Sequence, residues 1–152
     1  MSPGTRSGTR ADLAAKGHQF YTDHSDTEVI VHLYEEYGRD FAHRINGMFA
    51  LALWDRTEDK LLLIRDRMGV KPLFYARLGP LLVFSNTLEC VRQHPAVSDR
   101  LNDLSIADFL LFDLIQDPAA TAFAAVHRLP PAHSLVCEQD TLSIRRYWQP
   151  LI

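Results

Sequence analysis

Between residues 47 and 85 the chain alternates apolar runs with short polar turns, a spacing that suits antiparallel strands and little else. Residues 48–55 are apolar on both alternating faces: Met48, Ala50, Ala52 and Trp54 on one, Phe49, Leu51 and Leu53 on the other. A strand with two apolar faces must be covered on both sides. Arg56-Thr57-Glu58-Asp59 is a charged turn, and residues 60–66 run back as a second strand. So short a connection joins only antiparallel neighbours. Residues 67–72 are a loop punctuated by Gly69 and Pro72. Residues 73–77 and 81–85 make a second hairpin around Leu78-Gly79-Pro80. The expectation is an antiparallel sheet with no wet face. The charges in Trp54-Asp55-Arg56 and Arg65-Asp66-Arg67 read as solvated, mutually paired strand ends, worth about 0–1 kcal/mol per pair.

The flanks read as helices and one more hairpin. Residues 1–9 are small, polar and basic, with Gly-Thr-Arg repeated in 1–10, and are expected to form a disordered tail. Residues 11–16 suggest a short helical turn ending at Gly17, which suits a left-handed cap. Ser25 and Glu28 have capping-box spacing. Val29, Ile30, Leu33 and Tyr37 then recur at helical spacing, and Gly38 ends the helix. Residues 40–45 form a further turn. Residues 87–94 make a short helix stopped by Pro95. Residues 104–114 make an amphipathic one, with Ile106, Phe109, Leu110 and Leu114 on one face. Arg128-Leu129-Pro130-Pro131 is extended, and a hairpin follows around Gln139-Asp140-Thr141. Elements of this kind over residues 10–150 make one α+β domain, and 152 residues suffice for one.

Several classes are disfavoured. A net charge of −3 gives no reason to expect nucleic acid or an acidic membrane surface as partner. No apolar run reaches the roughly 18 residues a spanning helix needs, and no secretory signal pattern is visible. Cytoplasm is the default expectation. Cys90 and Cys137 belong to no motif and read as buried or half-buried thiols. The seven histidines show no metal-ligand spacing, so no metal is expected.

The words of the central segment resemble a known family. Asn46-Gly47-Met48-Phe49-Ala50, Leu53-Trp54-Asp55 and the run from Arg65-Asp66-Arg67-Met68-Gly69 through Val70-Lys71-Pro72-Leu73-Phe74-Tyr75 look like the glutaminase domain of asparagine synthase. That domain is a class II glutamine amidotransferase with the N-terminal-nucleophile (Ntn) hydrolase fold. Gly17-His18, Ser25-Asp26-Thr27-Glu28, Leu129-Pro130-Pro131 and Arg145-Arg146-Tyr147-Trp148 extend the likeness over most of the chain. The resemblance implies an αββα sandwich, here incomplete, because the match begins about half-way through the family domain.

The family's chemistry needs an N-terminal cysteine directly after the initiator Met, whose thiolate attacks the glutamine amide with its own α-amino group as base. It also needs a cation for the substrate α-carboxylate, an anion for its α-amino group, and an oxyanion hole. By its place in the Ser-Asp-Thr-Glu motif, the resemblance makes Asp26 the carboxylate that holds the glutamine α-amino group. On spacing alone Asp26 is simply an acid in the first turn of a helix, favoured by about 0.3–1 kcal/mol. The other parts find no match. Position 2 is Ser2, followed by Pro3, and no segment resembles the Arg or Asn-Gly-Glu stretches. No catalytic residue is assigned, and losing a nucleophile costs on the order of a million-fold. The expectation is that these 152 residues alone do not hydrolyse glutamine. No cofactor is expected in this chain, although the family's synthetase domain uses ATP and Mg.

The parent reaction is ATP-dependent transfer of glutamine nitrogen to aspartate, with glutamine as partner of the intact domain. The alternatives are a non-catalytic scaffold from a β-lactam synthetase-like or lasso-cyclase-like adenylating enzyme, or a binding module that pairs in trans with a synthetase domain or an N-terminal half. An incomplete sandwich leaves strand edges and an apolar face open, both of which favour association.

Overall fold

The computed structural model describes residues 3–150, and side chains from Thr9 onward. Helix α1 spans Pro3–Ala15 and α2 spans Asp26–Tyr37, followed by a 3-10 segment, Gly38–Arg44. Strands β1 (Ala50–Asp55), β2 (Lys60–Arg65), β3 (Phe74–Leu78) and β4 (Leu81–Ser85) form two hairpins. Helices α3 (Leu88–Arg92) and α4 (Asp103–Phe112) precede β5 (His127–Arg128), β6 (His133–Glu138) and β7 (Thr141–Arg146).

The strands divide into two antiparallel sheets, one ordered β1-β2-β6-β7 and one ordered β4-β3-β5. The pairing of β2 with β6 places Leu63 opposite Leu135 and Leu61 opposite Cys137. Both strands are apolar without interruption at their centres because both of their faces are covered. On one face Leu62, Ile64 and Val136 pack with Val29, Leu33 and Phe41 of the helical layer. On the other, Leu63 and Leu135 meet Leu73, Tyr75 and Leu129 from the smaller sheet. Beyond that sheet, Ala76 packs with Val91 of α3, Val97 and Val126. The order is helix, sheet, sheet, helix: the αββα layering that the family resemblance implied.

Five sequence expectations change. Helix α1 already runs from Pro3, through the segment read as a tail. A proline costs nothing in a first helical turn, and Leu13, 1% exposed, anchors the far end in the core. The chain leaves α1 through Gly17 at φ +98°, with His18 N–H donating to the Leu13 carbonyl, so Gly17 is the cap its position suggested. The sheet does have a wet face: Ala50 reaches the inter-sheet cluster, but Trp54 at the outer end of β1 is 55% exposed. Strand β1 is the edge of its sheet, and beyond Ala50 the residues of that face, Ala52 and Trp54, are exposed. Helix α4 forms, but Phe109, Leu110 and Leu114 are exposed, and only Ser105 of the helix is buried. Cys90 is exposed rather than buried, and Cys137 is half-buried.

The largest change concerns the charges. Arg65 and Asp66 are buried, and neither pairs with the other through a hydrogen bond. Arg65 donates to the carbonyls of Lys71 (2.8 Å), Leu129 (2.7 Å) and Gly69 (2.6 Å). The Asp66 carboxylate accepts the amides of Met68 (3.1 Å), Val70 (3.0 Å) and Lys71 (2.9 Å). These two side chains hold the backbone of the β2–β3 loop, satisfying polar groups that would otherwise be costly to bury. Asp55 is likewise engaged, accepting from Tyr34 Oη (2.7 Å) and from the amides of Thr57 and Glu58.

Candidate functional site

The start of α2 is built by a local network. Ser25 is the N-cap, its Oγ accepting from Glu28 N–H at 3.3 Å. The reciprocal half of a capping box does not form. The Glu28 carboxylate instead accepts Tyr21 N–H, Thr22 N–H (3.1 Å) and Thr22 Oγ1 (2.6 Å). Ser25 N–H in turn donates to Thr22 Oγ1 at 3.3 Å. The Thr22 hydroxyl is the first cause of the Glu28 carboxyl's depression below its usual range, and Tyr21 N–H is the next. Glu28 therefore ties residues 21–22 down ahead of the helix and sets how the chain enters α2.

Asp26 lies half-buried in the first turn of that helix. The free amide groups at the start of a helix favour a negative side chain there. A carboxylate in that position can accept hydrogen bonds from an ammonium group. Ser2, which stands where the family has its cysteine, lies outside the described residues.

The other sequence landmark, Arg65-Asp66-Arg67 with Gly69, folds as a rigid loop rather than as a reactive centre. Gly69 has φ +66°, and a Cβ there would lie 2.6 Å from Pro131 Cγ and 3.1 Å from Arg65 Cζ. Arg67 Nη2 donates to the His43 carbonyl (2.8 Å), and its guanidinium lies 5.5 Å from the Trp148 ring centroid. Between this loop and Asn46-Gly47-Met48 lies a concavity of about 330 Å³, floored by Asp66 and Trp148. Tyr147 Oη donates to the Arg65 carbonyl (2.8 Å), and burial, then the Asp66 charge, pushes its phenol up to about 12. The motif that carries most of the resemblance is thus a structural device: it fixes the exit segment 129–147 onto the β2–β3 loop.

Sequence spacing offered no metal ligands, but the fold brings three donors together. His18 arrives from the segment after α1 and meets His32 and Glu35 on α2. His32 and Glu35 are three residues apart on one helix face. The third partner, His18, is fourteen residues away in sequence, which is why no local motif signalled it.

The sequence profile of the glutamine amidotransferase domain matches residues 7–148. Asparagine synthetase [glutamine-hydrolyzing] 3 of Bacillus subtilis is 36% identical over 139 residues, which is 91% of this chain and 22% of that protein. Asparagine synthetase [glutamine-hydrolyzing] 2 of the same organism is 47% identical over 85 residues, 56% of this chain and 11% of that protein. The chain therefore spans about a quarter or less of the length of these relatives. Among solved structures, the glutamine phosphoribosylpyrophosphate amidotransferase of B. subtilis superposes with a TM-score of 0.62 at 17% identity, over 97% of this chain and 28% of that one. That likeness is one of fold: the two-sheet sandwich of the Ntn-type amidotransferases. With the layered sheets, the folded Ser-Asp-Thr-Glu turn and a match over residues 7–148, this chain belongs to the glutamine amidotransferase domain family, in its asparagine synthase-like branch.

Proposed function

We propose that these residues form the later part of a class II glutaminase domain, supplying the scaffold and the subsite for the glutamine α-amino group, and that they do not hydrolyse glutamine by themselves. The observation that carries this reading is the ordered first turn of α2. Asp26 sits there half-buried, at the start of a helix that Ser25 caps and whose approach, residues 21–22, Glu28 holds in place. The nucleophile, the α-carboxylate cation and the oxyanion donors find no counterpart in the residues present. The open outer edge of β1, with Trp54 uncovered, supports completion of the site by further protein. In the intact protein the family reaction, ATP-dependent transfer of the glutamine amide nitrogen to aspartate, is the one we expect this domain to serve.

A second reading, a non-catalytic scaffold beside an adenylating domain, draws support from α4. Its Leu104, Leu110 and Leu111 are at least 74% exposed, and grouped exposed apolar side chains mark contact surfaces.

The test is ammonia release from glutamine by the purified chain, together with amide chemical-shift changes on adding glutamine. Ammonia should stay at the buffer blank. Weak binding should centre on residues 25–28 and weaken about 10-fold or more in Asp26→Ala, the loss of one charge-assisted contact. Turnover above the blank would overturn the claim of inactivity. Shifts centred elsewhere would remove Asp26 from the subsite.

A further inference from the structure

We propose that His18, His32 and Glu35 form a binding site for a divalent transition-metal ion of the zinc class, clipping the segment after α1 onto α2. His18 Nδ1 lies 3.2 Å from His32 Nδ1 and 3.6 Å from Glu35 Oε2, and His32 Nδ1 lies 2.8 Å from Glu35 Oε2. Ligands held about 2.0–2.2 Å from a tetrahedral ion are ~3.4 Å apart, so an ion fits over this triangle with all three atoms in its first shell. Two imidazoles and one carboxylate are a borderline donor set that suits zinc and its neighbours rather than calcium or magnesium.

The surroundings are organised as a ligand's surroundings should be. His18 Nε2 lies 3.2 Å from Glu36 Oε2, so its outer ring N–H donates to a carboxylate and the Nδ1 lone pair faces the cluster. A carboxylate behind a histidine ligand fixes the tautomer and raises ligand basicity. Glu36 is itself held by Lys16. The Phe20 ring meets the His32 ring edge-on at 4.7 Å, which limits its rotation. The two histidine side chains are only 15% and 16% exposed, while Glu35 at 53% leaves the ion a route in from solvent. With three protein ligands the fourth position falls to water. Without an ion, and with the His18 proton on Nε2, a neutral His32 has a single Nδ1 proton to serve both the His18 Nδ1 lone pair at 3.2 Å and the Glu35 carboxylate at 2.8 Å.

Such an ion would tie together two side chains fourteen positions apart, enclosing the stretch that carries Ser25 and Asp26. The site is separate from the glutamine reading and stands or falls without it.

The experiment is titration of the full chain with zinc by calorimetry, with cobalt substituted to read the visible bands of a tetrahedral site. One ion per chain is expected at micromolar concentrations, with Tm rising several degrees under excess zinc. Binding should weaken about 100-fold in His32→Gln and in Glu35→Gln, whose exposed position spares the fold, and about 10-fold in Glu36→Gln, which touches only His18. No zinc binding by the folded chain at 100-fold excess over protein, or undiminished binding in both Glu35→Gln and His32→Gln, would overturn the assignment.

Discussion

Replacing Asp66 by alanine tests the central structural claim, that a charge expected at the surface holds the β2–β3 loop together. Asp66 is 1% exposed, and its carboxylate serves three backbone amides at 2.9–3.1 Å. A hydrogen bond to a charged acceptor contributes about 1.5–3 kcal/mol. Met68, Val70 and Lys71 are exposed, so water can take over part of the loss at their amides. We expect Asp66→Ala to cost about 3–5 kcal/mol, a large share of the 5–15 kcal/mol typical of a domain. Asp66→Asn keeps an oxygen for Met68 and Val70 but turns an NH₂ toward Lys71 N–H, and should cost about 1–3 kcal/mol. Urea unfolding followed by far-UV circular dichroism, with the slope unchanged, reads both. If Asp66→Ala is unfolded without urea, Asp66→Asn still supplies the number. The reasoning fails if Asp66→Ala lies within 1 kcal/mol of the parent, or if the two variants cost the same.

Gly69→Ala should destabilise by about 2–4 kcal/mol, combining left-handed backbone strain with a Cβ forced against Pro131; an unchanged Tm would contradict this. Burial, then the hydrogen bond to Asp55, pushes Tyr34 up to about 12, and Tyr147 is pushed equally far by burial. Both folded values lie above the usual 10.0, so their stabilisation is complete below pH 10 and is lost as pH rises toward 12. Absorbance at 295 nm should show at least two of the five tyrosines ionising only near pH 12 or together with unfolding, and one fewer in Tyr34→Phe. All five titrating together near pH 10 in a still-folded chain would refute the burial argument.

The local elements were legible because their information is local. The alternation in residues 50–65 and 74–85, the Ser25 cap and the glycine stops at 17 and 38 are periodicities and turn chemistries that act over a few residues. The family motifs, with Asp26 among them, were equally readable as words.

Tertiary structure alone decided which elements meet. Nothing near residues 60–65 says that β6, some seventy residues later, will lie beside β2, yet that pairing creates the faces on which both layers of core pack. The same long-range closure brings the Leu129 carbonyl to Arg65, which turns a pair read as solvated into a buried brace. It also brings His18 against His32 and Glu35, where spacing had offered no ligand set. Helix α4 shows the converse: its apolar pattern was visible in sequence, but whether a face is covered depends on what the rest of the fold places against it, and here most of α4 remains in water. A residue type and its period set what a segment can form; burial and partnership are properties of the assembled chain.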